Sequence, residues 1–108
     1  MTSSFIPEMP IQFYPSLAMD IGVNEAIVLQ QIHFWLDNSE LVIFQNSSYW
    51  IQNIYERCSD RFLMWSQEKV AEIIDGLITR GCIIVQHSES LGKLFTIDRE
   101  HMSILDER

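Results

Sequence analysis

The sequence predicts an α+β fold, mainly α, in which a three-helix core is followed by a short β-hairpin. Three observations carry that expectation. Val70, Ile73, Ile74, Leu77 and Ile78 recur at i, i+3, i+4, i+7 and i+8 between Ser66 and Gly81, which is the apolar stripe of an amphipathic helix. Two runs of strand-forming residues, 82–86 and 93–98, follow that helix on either side of a Ser- and Gly-containing turn, the pattern of a hairpin. At 108 residues, 47% hydrophobic and 20% charged, the chain has the size and composition of one globular domain with a single core.

Each element has its own signal in the sequence. Residues 1–15 contain all three prolines, Pro7, Pro10 and Pro15, interleaved with Phe5, Ile6, Phe13 and Tyr14, the composition of an extended arm rather than a helix. Its aromatic content favours a docked arm, on this subunit's own core or on a partner's. A helical turn over 16–21 leads to Gly22. Asn24 is placed to cap the next helix, with Glu25 near the positive end of the helix dipole. Ala26, Val28, Leu29, Ile32, Trp35 and Leu36 then continue at helical spacing to about Asp37. That helix is apolar around most of its circumference, so burial on more than one side is expected, with His33 in a partly buried polar contact.

Beyond a polar turn at 37–40, Tyr49, Trp50 and Ile51 have the aromatic and β-branched content of a short strand. Asn53 and Glu56 stand at capping-box spacing ahead of a helix over 54–61 that would bury Ile54, Tyr55, Cys58 and Phe62. Ser66 caps the amphipathic helix, and Gly81 can take the left-handed conformation beyond its end. About five residues separate the two hairpin strands. Helix, short strand, helix, helix, hairpin is the order of a winged helix-turn-helix domain. It occupies 16–98, with an extended N-terminal arm at 1–15 and a tail, linker or further helix at 99–108. In that architecture the helix before the hairpin lies in a major groove while the hairpin, the wing, touches the flanking backbone.

Charge constrains the partners. Fifteen acids against seven basic residues give a net charge of −8, and every Lys and Arg lies after Tyr55. Such a chain repels phosphate at long range, so nucleic-acid binding depends on a local basic patch in the second half. No apolar run reaches the ~18–20 residues of a membrane-spanning helix, and the first residues lack the basic start and apolar core of a secretory signal. A soluble cytoplasmic protein is expected. Cys58 and Cys82 form no Cys-x-x-Cys pair, and with His33, His87 and His101 they match no zinc-module spacing, so they read as buried hydrophobes. The sequence has no Gly-rich phosphate loop, Gly-x-Ser-x-Gly elbow or His-Glu-x-x-His, so no enzyme, cofactor, metal or small-molecule substrate is expected.

The stretch Pro15-Ser16-Leu17-Ala18, followed by Ile21-Gly22-Val23-Asn24-Glu25-Ala26-Ile27-Val28-Leu29-Gln30-Gln31-Ile32-His33-Phe34-Trp35-Leu36, resembles the opening of winged-helix replication proteins of phages, plasmids and integrated mobile elements. Tyr49-Trp50-Ile51, Phe62-Leu63-Met64-Trp65-Ser66, Leu77-Ile78-Thr79-Arg80-Gly81 and Phe95-Thr96-Ile97-Asp98 resemble that family's strand, turn, recognition-helix end and last wing strand, in the same order. The likeness covers about residues 15–98. It implies an N-terminal domain of a replication initiator or replisome organiser, which binds origin DNA while the remaining chain recruits a helicase loader. Where family members tend to carry basic residues in the recognition helix, this chain reads Ala71-Glu72 and Asp75-Gly76.

Placing residues at 100° steps puts Glu68, Glu72, Asp75 and Thr79 opposite the buried stripe of that helix. Each carboxylate brought against phosphate costs ~1 kcal/mol or more at an effective dielectric of ~20. Two readings follow. In the first, the domain binds double-stranded DNA weakly, through Lys69, Arg80 and Lys93 on phosphates, helped by Arg57 or Arg61, with Gln67 and Thr79 nearest the bases. In the second, it is an acidic protein-interaction module on the same fold without appreciable DNA affinity. A homodimer built through the arm and the first long helix is expected, together with a replication-protein partner. An acidic mimic of DNA is a third reading.

Overall fold

A computed structural model describes residues 15–38 and 40–98; of the expected arm over 1–15 only Pro15 is among them, and it opens a helix instead, while the tail over 99–108 lies outside the described residues. In chain order the elements are α1 (Pro15–Ile21), α2 (Val23–Leu36), β1 (Ile43–Gln45), β2 (Ser48–Trp50), α3 (Ile54–Arg61), α4 (Gln67–Thr79), β3 (Ile83–Ser88) and β4 (Gly92–Ile97). The helices α2, α3 and α4 form the expected three-helix core, and β3 and β4 form the antiparallel wing. No helix among the described residues is long and apolar enough to cross a membrane.

The amphipathic helix forms as its spacing predicts. Val70, Ile73, Ile74 and Leu77 are buried against α2 and α3, while Ile78, at the edge of the stripe, is only half-buried. Ser66 Oγ accepts the Lys69 amide at 3.1 Å, satisfying an orphan donor of the first turn. At the other end Gly81 takes φ 83°, so that its own amide bonds the Ile78 carbonyl at 3.0 Å and the Cys82 amide bonds the Leu77 carbonyl at 2.9 Å. This is a Schellman ending, and it turns the chain directly into β3.

Two expected caps are not made. α2 begins at Val23, one residue before Asn24, because Gly22 adopts φ 107° and lets the chain turn straight out of α1. A side chain at Gly22 would also collide with the Glu25 carboxylate. Asn53 precedes α3 as expected but sits in the left-handed region at φ 59°, ψ 41°, and makes no side-chain bond to the helix. A capping side chain needs extended backbone to reach the second or third amide, so the capping box with Glu56 does not close.

The segment before α3 holds more β structure than expected. β1 and β2 form a second hairpin, with Gln45 opposite Ser48 around Asn46 and Ser47, both at positive φ (54° and 64°), as a type I′ turn requires. Ile51 then pairs with Phe95 through two backbone bonds of 2.9 Å, which joins this segment to the wing. Trp50 and Leu94 are buried outside the main core, and the Trp50 indole donates to the Gln45 carbonyl at 2.8 Å. The wing is tighter than expected: Ser88 pairs with Gly92, leaving three loop residues rather than about five, and Gly92 supplies the positive φ of 81° that closes the turn.

α2 is buried through Ala26, Val28, Leu29 and Ile32, and Ile27, Trp35 and Leu36 pack against the core on either side, so the helix is covered by α1, α4 and β4 as its apolar circumference leads one to expect. Val23 and Phe34 remain more than half exposed. His33 makes the expected polar contact, its Nε2 lying 3.7 Å from Asp37 Oδ2. Cys58 and Cys82 are buried free thiols, as expected, and burial pushes the Cys58 thiol up to about 12.

Leu77 lies at the centre of the core with no exposed surface. Replacing it by Ala is expected to cost roughly 2–5 kcal/mol through lost burial and an unfilled cavity. Chemical denaturation checks this, and a loss below about half a kcal/mol would show that the stripe is not core.

Candidate nucleic-acid interface

The outward face of α4 is built by subtraction. Four apolar residues take one side of the helix, and what remains opposite is Glu68, Glu72, Asp75 and Thr79, all exposed. Two of the three carboxylates are engaged. Lys69 Nζ pairs with Glu72 Oε1 at 3.1 Å, and the Tyr55 hydroxyl donates to Asp75 Oδ1 at 2.6 Å. The short Tyr55 bond is a charge-assisted one, and it ties α3 to the outer face of α4.

The expected contact residues occupy three separate places. Gln67 and Lys69 are exposed in the first turn of α4, whereas Thr79 and Arg80 are exposed at its far end. A rise of 1.5 Å per residue puts the two groups roughly 18 Å apart along the axis. Lys93 is exposed on β4 opposite His87, next to the wing turn. The structure therefore brings neither Thr79 nor Arg80 to Gln67.

The helping cations have internal partners. Arg57 Nε donates to the Gln52 carbonyl at 2.9 Å, and the Gln52 side chain donates to the Leu91 carbonyl in the wing turn at 2.7 Å. This chain of bonds fixes the wing tip relative to the start of α3. Arg61 Nε donates to Gln31 Oε1 on α2 at 3.0 Å, with the guanidinium 5.5 Å from the Phe62 ring centre. Sequence spacing holds no sign of the Gln52 to Leu91 or Arg61 to Gln31 bonds, since each joins residues 30 or more apart in the chain. Among the described residues no three His, Cys, Asp or Glu side chains come together as a metal site.

No protein-family model and no curated protein matches the chain. A solved structure described as the N-terminal domain of a DNA binding protein is similar in fold, with a TM-score of 0.56 over 99% of this chain and 91% of that one, at 12% identity. The chain is a winged helix. At that identity the likeness is one of fold. In this winged helix α4 is the helix that precedes the wing, and the wing turn is Glu89-Ser90-Leu91.

Tyr55 was expected to be buried by its position in α3, but it is half-buried, with its ring edge-on to Phe95 at 5.9 Å and its hydroxyl on Asp75. Burial, together with the hydrogen bond and negative charge of Asp75, pushes its phenol up to about 12 from 10. The folded state therefore keeps a proton that the unfolded state loses near pH 10, and stability present below pH 10 falls as pH rises towards 12. Denaturation across that window should show the decline, and Tyr55→Phe should flatten it. An unchanged slope in the variant would show that Tyr55 is not its source.

Proposed function

We propose that this winged helix is the DNA-binding domain of a phage- or plasmid-type replication protein. The observation that carries the reading is the shared fold over nearly the whole chain with the N-terminal domain of a DNA binding protein, in a winged helix whose helix before the wing has an exposed outer face. The resemblance of residues 15–98 to replication proteins supplies the process. Gln67 at the start of α4 stands nearest the bases, while Lys69, Arg80 and Lys93 meet phosphates at three points along the duplex. Thr79 reaches the groove only when α4 lies along it.

The carboxylates set the affinity. Glu68, Glu72 and Asp75 face outward on a chain of net charge −8, so binding by this domain alone falls in the micromolar range of non-specific contacts. The same carboxylates favour a second reading, a protein-interaction module on the same fold, because Lys69 already answers Glu72.

Salt separates the two. If three cations per copy meet phosphate, the logarithm of the affinity falls against log salt with a slope near −0.9 per contact, about −3 in all. Lys69→Glu combined with Arg80→Glu should then abolish binding measured by fluorescence anisotropy. A domain with no affinity for duplex DNA at about 100 mM salt supports the second reading instead.

A further inference from the structure

Arg57 is anchored within the fold and still has donors to give. Its Nε donates to the Gln52 carbonyl at 2.9 Å, which pins the guanidinium at the start of α3. A guanidinium carries five N–H donors, and no acceptor among the described residues takes those on the two Nη atoms. These atoms are open to solvent, because the one buried side-chain polar atom without a partner among the described residues is Gln30 Oε1.

A second cation stands beside this one. Gln52 Nε2 donates to the Leu91 carbonyl at 2.7 Å, and Ser88 Oγ accepts the Leu91 amide at 3.2 Å, so both backbone groups of Leu91 are tied and the wing turn is preformed. Ile51 opposite Phe95 puts Lys93 level with Asn53, the residue ahead of α3. Lys93 is exposed and has no carboxylate partner among the described residues. Gln52 thus holds Arg57 with its carbonyl and the turn ahead of Lys93 with its side chain.

We propose that Arg57 and Lys93 form one phosphate-binding site between the start of α3 and the wing turn, with Gln52 as its positioning residue. The site rests on the DNA reading above and adds a contact to it. The Arg57 Nη atoms form a planar fork that matches two oxygens of one backbone phosphate, while Lys93 supplies a point charge. Because the Nε bond and the tied turn set both cations before a duplex arrives, little side-chain freedom is lost on binding. Glu56, next to Arg57 in the chain, and Glu89 in the wing turn offset the two positive charges. Directed hydrogen bonds rather than long-range attraction therefore hold the phosphate.

The test is fluorescence anisotropy of a labelled random duplex with the full chain over a series of salt concentrations. Arg57→Gln should weaken binding about tenfold and flatten the slope of log affinity against log salt by about 0.9, one contact. Gln52→Met keeps the length of the side chain and removes its donor. It should weaken binding, speed amide exchange at 89–91 in the free protein, and add nothing once Lys93→Gln is present. Should Arg57→Gln fail to fold, the Arg57 Nε–H resonance of the unaltered protein serves instead, since duplex should shift it at low salt. A shift given by millimolar inorganic phosphate but not by duplex overturns the proposal, as the site then takes a free anion. Duplex binding with an unaltered slope in Arg57→Gln overturns the site and leaves the DNA reading standing, whereas no affinity for duplex at low salt removes both.

Discussion

The pairing of Ile51 with Phe95 is the joint on which the arrangement depends. Two backbone bonds of 2.9 Å hold a residue just ahead of α3 against the last strand of the wing. Because Ile51 is fully buried, those bonds are shielded from water, where an unmade partner would cost about 1–3 kcal/mol. The joint sets where α3 begins, since Asn53 turns the chain only two residues later. It also seats Tyr55 edge-on to Phe95, and from there the Tyr55 hydroxyl reaches Asp75 on α4. Wing, α3 and α4 are thus held relative to one another by this strand pair together with the Gln52 link to the wing turn.

The two faces of α4 have opposite consequences. Its inner face supplies the apolar contacts that bind α2, α3 and β3 into one core. Its outer face is lined by carboxylates, one held by Lys69 and one by Tyr55, which lowers the repulsion within the helix without making the surface basic. On the proposed reading, the fold supplies the shape that enters a groove while its charge keeps a single domain's affinity low. Specific binding then draws on more than one contact surface, as happens when domains act together.

The parts of the fold legible in the sequence are those set by local periodicity and local caps. The α4 stripe, Ser66 and Gly81 lie within one segment, so spacing alone places them. The hairpin at β1 and β2 was less legible because each strand has three residues, too few for alternation to stand out, and because its turn uses Asn46-Ser47 rather than Asn-Gly. Asn24 and Asn53 have the residue type of a cap, but a cap depends on backbone angles that residue type does not dictate. The outward carboxylates were legible from helical projection. Their partners were not: Tyr55 to Asp75, Gln52 to Leu91 and Arg61 to Gln31 are tertiary contacts with no spacing rule behind them.

The central claim, that this winged helix meets DNA with the start of α4 and the tip of the wing, is tested most directly by following backbone amide resonances while a duplex is added at low salt. The account predicts shifts concentrated at Gln67, Lys69 and residues 89–93 that reverse when salt is raised. Shifts confined to α2 or to the β1 and β2 hairpin, or none at all with duplex in millimolar excess, would contradict it.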